Sequence, residues 1–198
     1  MGTVRNVTPP NFPIAPDQYD RRFHDQFINV LRLFLNGVAN AINAPKIHGS
    51  YYSTELQTNP VANTANLMTV NNTVIADGTK VGSPASRIYV ADTGVYNIQF
   101  SVQLDKASGS SAQSAYIWLR IDGQDVPYSA SQVTLKDASS ELVAAWNFVV
   151  VLKANSYFEL VWSSPDTDMQ LKSPTASAPV PGIPSVILTV TWVSNVPV

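Results

Sequence analysis

Few residues of this chain are of the types that transfer protons at neutral pH. Histidine is the side chain whose ordinary pKa lies nearest to neutrality, and the 198-residue sequence contains two of them, His24 and His48. His24 falls inside a predicted helix, and His48 immediately precedes the first predicted strand. We interpret both as polar residues of a surface or an interface, and neither as a catalytic acid or base.

Two pairs of aspartates have a spacing from which a metal site can be built. Asp166 and Asp168 lie in "SPDTDMQ", and Asp122 and Asp125 lie in "DGQD". A calcium ion takes at least about six oxygen ligands, and neither stretch has the spaced acids of a calcium-binding loop. Aspartate is also common in turns, because its side chain bonds to nearby backbone groups. We therefore predict turns at both places and no metal site.

The rest of the composition argues against an enzyme. The chain has no cysteine, no glycine-rich phosphate loop, no G-x-S-x-G elbow and no H-E-x-x-H motif. Its net charge is −2 and it has no block of Lys or Arg, so we expect no binding to nucleic acid or to an anionic membrane. This shortage of titratable residues disfavours the hypothesis of a carbohydrate-active or metal-dependent enzyme. We predict no catalytic residues, no cofactor and no membrane span.

Tyr116 and Trp118 are the aromatic residues best placed to bind a partner. They alternate with Ile117 and Leu119 along a predicted strand and so face away from its apolar side. Aromatic rings in that position stack on sugars or fill a contact between subunits. Charged residues make up 13% of the chain, about half of the usual quarter, and depletion of charge is typical of a surface that partners cover. We favour a subunit contact, and a host saccharide is the alternative.

The chain begins with two segments that differ from the rest. Residues 1–16 are rich in proline and are predicted to form an extended arm. Residues 17–45 are predicted to form a long helix with Asp17 as its N-cap. The apolar face of this helix is wide, and we expect it to bury itself against a partner rather than in the β-domain. The residues predicted to make these assembly contacts are Phe12 and Ile14 in the arm and Phe23, Phe27, Leu31, Phe34 and Val38 in the helix.

Residues 46–198 are predicted to form an antiparallel β-sandwich, because their apolar residues recur with a period of two. The clearest example is "GVYNIQFSVQL", in which every second residue from Tyr96 to Leu104 is apolar and the intervening ones are polar. The D-G pair at Asp122–Gly123 predicts a tight turn. In "ELVAAWNFVVVLK" both faces are apolar, so we expect this strand to be covered on both sides. The whole region is predicted to contain about eight to ten strands.

The pattern from Ser86 to the C-terminus resembles the trimeric jelly-roll superfamily that contains the tumour necrosis factors and the globular heads of complement. The resemblance is carried by "RIYVADTGVYNIQFSVQL", by "YIWLRIDGQDV" with its D-G turn, by "VVVLKANSYFELVW" and by "SVILTVTWV". It implies a mainly β jelly-roll fold for residues 46–198. It also implies assembly as a homotrimer that buries an aromatic face of each subunit along the trimer axis.

A second resemblance, to virion structural proteins of tailed bacteriophages, covers the front of the chain. It is carried by the order of an arm, then "QYDRRFHDQFINVLRLFLNGV", then a jelly roll, and it implies a head decoration (cement) or fibre protein. The predicted function is a non-enzymatic capsid decoration protein on the capsid surface, which trimerises and clamps subunits of the major capsid protein or another virion protein. The alternative is a tail or head fibre or spike that recognises a host surface saccharide.

Overall fold

The protein is mainly antiparallel β-structure with one α-helix in the part that the structure describes. The computed structural model describes residues 10–14, 17–42, 47–137 and 140–196. The chain divides into two compact units, the first containing the helix and the second containing all of the described strands. The units are Met1–Pro45 and Lys46–Val198.

The predicted arm is described only in part. Residues 10–14 contain neither helix nor strand, while positions 1–9 and 15–16 lie outside the described residues. Positions 43–45, predicted to end the helical segment, also lie outside them. No helix in the described part of the chain is long and apolar enough to cross a membrane.

Helix α1 (Arg21–Ile42) begins four residues after Asp17, the predicted N-cap. Asp20 is the N-cap, because its Oδ1 accepts a hydrogen bond from the N–H of Arg22 at 2.8 Å and its carbonyl accepts one from the N–H of His24 at 3.1 Å. Asp17 lies in a bend outside the helix, so the prediction of Asp17 as N-cap is wrong. Both aspartates precede the helical pattern, and the backbone geometry selects the second.

The second unit contains fourteen strands in its described residues, more than were predicted. Several are only two or three residues long, and so short a strand cannot show a period of two. The strands are β1 (His48–Ser53), β2 (Gln57–Thr58), β3 (Asn66–Leu67), β4 (Asn72–Asp77), β5 (Thr79–Val81), β6 (Ile88–Val90), β7 (Gly94–Lys106), β8 (Gln113–Ile121), β9 (Gln124–Asp125), β10 (Ser131–Leu135), β11 (Glu141–Leu152), β12 (Tyr157–Ser163), β13 (Met169–Leu171) and β14 (Val186–Ser194).

These strands form two antiparallel sheets. Sheet A runs in the order β2-β13-β7-β14-β1-β4, and β11 also pairs with β7. Because β11 and β14 pair with the same residues of β7, they lie on its opposite edges, and β11 is an edge strand. Sheet B runs in the order β10-β8-β12-β6-β5, with β3 paired to β12 and β9 paired to β8.

One hydrophobic core takes residues from both sheets, an arrangement consistent with a β-sandwich. Alternate residues of β7, from Tyr96 to Leu104, are buried, and so are Ile117 and Leu119 of β8. The predicted alternation is therefore confirmed in both strands. The turn after β8 is confirmed too, since Asp122 and Gly123 have φ values of 49° and 80°, as a two-residue hairpin turn with two positive φ angles requires.

Strand β11 departs from prediction. Its inner face contributes Ala144 and Leu152 to the core, as expected. Its other face was expected to be covered, yet Val143, Val149 and Val151 are 55%, 62% and 52% exposed. The prediction of cover on both sides is therefore wrong within this unit, because the described elements of the unit form two sheets with one core between them and β11 turns its outer face away from that core.

Candidate functional site

The two histidines belong to different units of the chain. His24 lies exposed on α1, and His48 lies partly buried at the start of β1 in the other unit. Within the described residues, no group of three or more His, Cys, Asp or Glu side chains is arranged to hold a metal ion. An open cleft of about 510 Å³ beside β4 has Glu55 as the one acidic or basic side chain among its described lining residues.

Asp122 and Asp125 organise the turn after β8. Asp122 Oδ1 accepts a hydrogen bond from the N–H of Tyr157 at 2.9 Å. Asp125 Oδ1 accepts two, from Arg120 Nε and from Trp118 Nε1, each at 2.8 Å. These hydrogen bonds, first that from Arg120 and then that from Trp118, lower the pKa of Asp125. Asp122 therefore connects the turn to the start of β12, and Asp125 fixes the side chains of Trp118 and Arg120.

Asp166 and Asp168 belong to a buried electrostatic contact. Lys106, which is 1% exposed, directs its Nζ onto Asp166 Oδ2, and this hydrogen bond is the main reason why the pKa of Asp166 is lowered. The N–H of Asp168 donates to Asp166 Oδ1 at 2.9 Å, and Asn59 Nδ2 donates to the Asp166 carbonyl at 2.9 Å. The cluster fastens the loop after β12 to the end of β7.

The sequence analysis did not single out Lys106, although its position in the strand pattern indicates that it is buried. It continues the inward alternation of β7 two residues beyond Leu104. A lysine is rarely buried unless it is paired, so the inward position of Lys106 indicates an acidic partner.

The predicted assembly residues of the first unit lie on and beside α1. Phe23, Phe27, Leu31, Phe34 and Val38 are each partly buried. The ring of Phe12 packs on that of Phe27 with centroids 5.2 Å apart, and Phe27 lies 6.4 Å from Phe23. Ile14 is almost fully exposed. Phe12 thus covers part of the helix face, and Ile14 remains available.

A second apolar stripe on α1 is more exposed than the first. Ile28 and Leu35 are each about half exposed, and they are spaced seven residues apart. With Leu31 and Val38 they form a row beside the phenylalanine row. The helix therefore has apolar surface beyond what Phe12 covers.

The outward surface of sheet A, which we call the sheet A face, has a centre without Asp, Glu, Lys or Arg and charged residues at two margins. Asp77 of β4 stands opposite His48, and Glu141 of β11 stands opposite Asp105 of β7, where Lys172 is ion-paired to both carboxylates. The side chains at its centre stand in three rows that cross β11, β7, β14 and β1, and none of the residues in these rows is Asp, Glu, Lys or Arg. The rows are Ala145, Ser101, Ile187 and Tyr52; Asn147, Gln99, Thr189 and Ser50; and Val149, Asn97, Thr191 and His48.

The polar side chains in these three rows are amides, hydroxyls and the imidazole of His48, and two of the amides already pair with each other. Asn147 Nδ2 donates to Asn97 Oδ1 at 2.9 Å across β11 and β7. Amides paired in this way cost less to bury than free ones. The β11 edge adds the three exposed valines, so the face combines an apolar margin with an uncharged polar centre.

Tyr116 and Trp118 lie on the opposite side of the sandwich, on the outward surface of sheet B. Tyr116 is exposed, and Trp118 is partly buried with its indole N–H bonded to Asp125. They are adjacent outward positions of β8, as their alternation with Ile117 and Leu119 indicated. They do not share a surface with the β11 valines, which the sequence-based reasoning did not single out as contact residues.

Comparison with models of known protein families and with curated proteins gave no match for this chain.

Proposed function

We propose that this protein is a non-enzymatic virion structural protein, a capsid decoration protein that assembles as a homotrimer through the sheet A face. The observation that carries the proposal is the long edge strand β11, which pairs with β7 on one side only and exposes three valines on its outer face. Native proteins normally protect such an edge with charges, prolines or bulges. The stretch from Leu142 to Leu152 contains no charge and no proline, and its pairing with β7 is continuous. Cover by another protein surface is the remaining protection.

The order of the strands supports a jelly roll for this unit. The chain passes from β6 in sheet B to β7 in sheet A, then to β8 and β10 in sheet B, to β11 in sheet A, to β12 in sheet B and to β14 in sheet A. Two sheets of long antiparallel strands connected in this crossing manner are typical of the double Greek key. The jelly roll in turn supports assembly about a threefold axis, which is what the resemblance implies.

The distribution of apolar side chains on the sheet A face supports contact between copies. The β11 margin carries the valines. The other margin carries Tyr52 of β1 and Ile75 of β4, which stands opposite Ser50, and it ends at Asp77, which stands opposite His48. Two different apolar margins on one face favour a heterologous contact, in which β11 of one copy packs on the β1–β4 margin of the next. Repetition of a heterologous contact gives a ring when its rotation closes and an open filament when it does not, and we propose a closed ring of three.

The first unit supplies the proposed attachment to the shell. Ile14 and the stripe that contains Ile28 and Leu35 are apolar and exposed. Exposed apolar side chains that are grouped on one surface are typical of a contact region. We propose that the segment around residues 10–14 and α1 clamp the major capsid protein or another virion protein. Replacing Phe27 or Phe34 by Ala would then cost about 3–5 kcal/mol of assembly or folding energy.

The test measures mass and attachment separately. Light scattering should give three times the chain mass of 21.5 kDa, and a monomer at micromolar concentration contradicts the trimer. Deleting residues 2–16 should leave the trimer intact while abolishing attachment to particles. The alternative, a fibre or spike that recognises a host saccharide, predicts a few copies per particle instead of many. It also predicts that changes at Tyr116 or Trp118 block adsorption to cells.

A further inference from the structure

Trp118 differs from the three other tryptophans of the chain. Trp162 is fully buried, and Trp146 and Trp192 pack against the core. The indole N–H groups of those three find no hydrogen-bond partner within the described residues. Trp118 instead lies on the outward surface of sheet B, and its N–H is held by Asp125. Its ring is therefore fixed in orientation by a group that also lies at the surface.

Asp125 connects this ring to a cation and keeps one oxygen free. Its Oδ1 accepts from both Trp118 and Arg120, while no hydrogen bond from the described residues reaches Oδ2. Asp125 is 56% exposed, so Oδ2 is open to a ligand. The result is an aromatic ring, a guanidinium and a carboxylate oxygen held in one rigid group at the end of β8.

Tyr128 lies three residues after Asp125, in a conformation that the fold imposes. Its side chain is fully exposed and its φ is 61°, in the left-handed region that a residue with a Cβ seldom adopts. The turn that carries it is fastened to β8: Val126 N donates to the Leu119 carbonyl at 2.9 Å, and the N–H of Leu119 donates to Ser129 Oγ at 3.1 Å. An exposed tyrosine is thus presented from a turn that is fastened to the backbone of β8 at Leu119, the residue after Trp118.

We propose that Trp118, Tyr128 and Tyr116, together with Asp125 and Arg120, form a binding site for a neutral saccharide. A pyranose ring has an apolar face of C–H groups, which stacks on an aromatic ring, and a rim of hydroxyls. The free Oδ2 of Asp125 accepts hydrogen bonds from those hydroxyls, and Arg120 donates to them. Because the two charged residues of the site, Arg120 and Asp125, are already paired with each other, the site needs no charge on the ligand.

A saccharide fits this surface better than a protein partner does. Protein interfaces are depleted of charged residues at their centre, and here the Arg120–Asp125 ion pair lies at the centre of the group. Burying that pair under an apolar protein surface would remove it from water without replacing its solvent hydrogen bonds. Sugar hydroxyls supply those hydrogen bonds. The proposal extends the receptor-binding alternative, and it does not depend on the trimer, since the sheet A face lies on the other sheet.

The test is affinity electrophoresis of the full chain in native gels that contain dextran, mannan, galactan or laminarin. We expect at least one of these polysaccharides to retard the protein. Tyr128→Ala and Asp125→Asn should each weaken that retardation at least tenfold. The matched control is Tyr19→Ala, which removes another exposed tyrosine outside the site and should leave retardation unchanged. Competition with methyl glycosides of the gluco, manno and galacto series then identifies the preferred ring.

Two kinds of result overturn the proposal. One is that none of the four polysaccharides retards the protein, or that Tyr128→Ala and Asp125→Asn are both retarded as strongly as wild type. The other is that Tyr128→Ala lowers the mass of the assembly in light scattering, which would make this surface a protein contact. Because the mass of the wild-type assembly is measured separately, loss of saccharide binding and failure of the trimer proposal are distinguishable.

Discussion

Replacing Val149 by Ser tests whether the sheet A face is the contact between copies. Val149 is 62% exposed on the outer side of β11, so its side chain makes little contribution to the core of its own subunit. Serine is smaller than valine and uncharged, and its effect on β-strand propensity is at most about 1 kcal/mol. The substitution should therefore leave the fold of each subunit intact and weaken only the association.

The expected size of the effect follows from the area that remains to be buried. Full burial of a valine side chain contributes about 1.5–3 kcal/mol. Since 62% of Val149 is still exposed in the single chain, assembly adds about 1–2 kcal/mol per copy, or about 3–6 kcal/mol per trimer. That corresponds to a decrease of about 10²–10⁴-fold in the association constant of the trimer.

The assay is sedimentation equilibrium over a range of protein concentrations, with circular dichroism to check that the subunits remain folded. The matched control is Val61→Ser, because Val61 is 59% exposed in the loop between β2 and β3 and lies away from the sheet A face. We expect Val61→Ser to associate as wild type does. If Val149→Ser remains trimeric at the same concentrations as Val61→Ser, β11 does not form the contact.

Three further predictions concern the stability of the β-unit and are checked by chemical denaturation. Lys106→Met should cost about 3–5 kcal/mol, because it leaves the Asp166 carboxylate without its buried cation. Lys106 lowers the pKa of Asp166, so the pair stabilises the fold above about pH 4 and loses that contribution as the pH falls further. The difference in stability between wild type and Lys106→Met should therefore narrow below about pH 4. A constant difference would contradict the assignment of this ion pair. Tyr51→Phe removes a buried hydrogen bond of 2.7 Å to Thr79 and should lower the free energy of unfolding by about 0.5–1.5 kcal/mol. An unchanged denaturation midpoint would show that this hydrogen bond makes no net contribution to stability. The segment 46–198 alone should unfold cooperatively, and failure to fold would show that α1 is part of its core.

The sequence contained enough to predict which residues share a face of a strand. Alternation from Tyr96 to Leu104 predicted the buried side of β7, and the D-G pair predicted the turn after β8; both are confirmed. These features depend on neighbours along the chain, because the period of a strand and the φ angles of a turn are local properties. The scarcity of residues for proton chemistry was likewise evident from composition.

What covers a face is not a local property. The two apolar faces of "ELVAAWNFVVVLK" predicted cover on both sides, but only the tertiary structure shows that β11 pairs with β7 alone and stands at an edge. The same limit applies to Lys106 and Asp166, which are brought together by strands far apart in sequence, and to Trp118, whose partner was visible only as a turn aspartate. The period of the sequence determined which side chains lie on the same face of a strand. Long-range strand pairing determined what those side chains pack against, because each pairing depends on contacts that no single stretch of sequence contains.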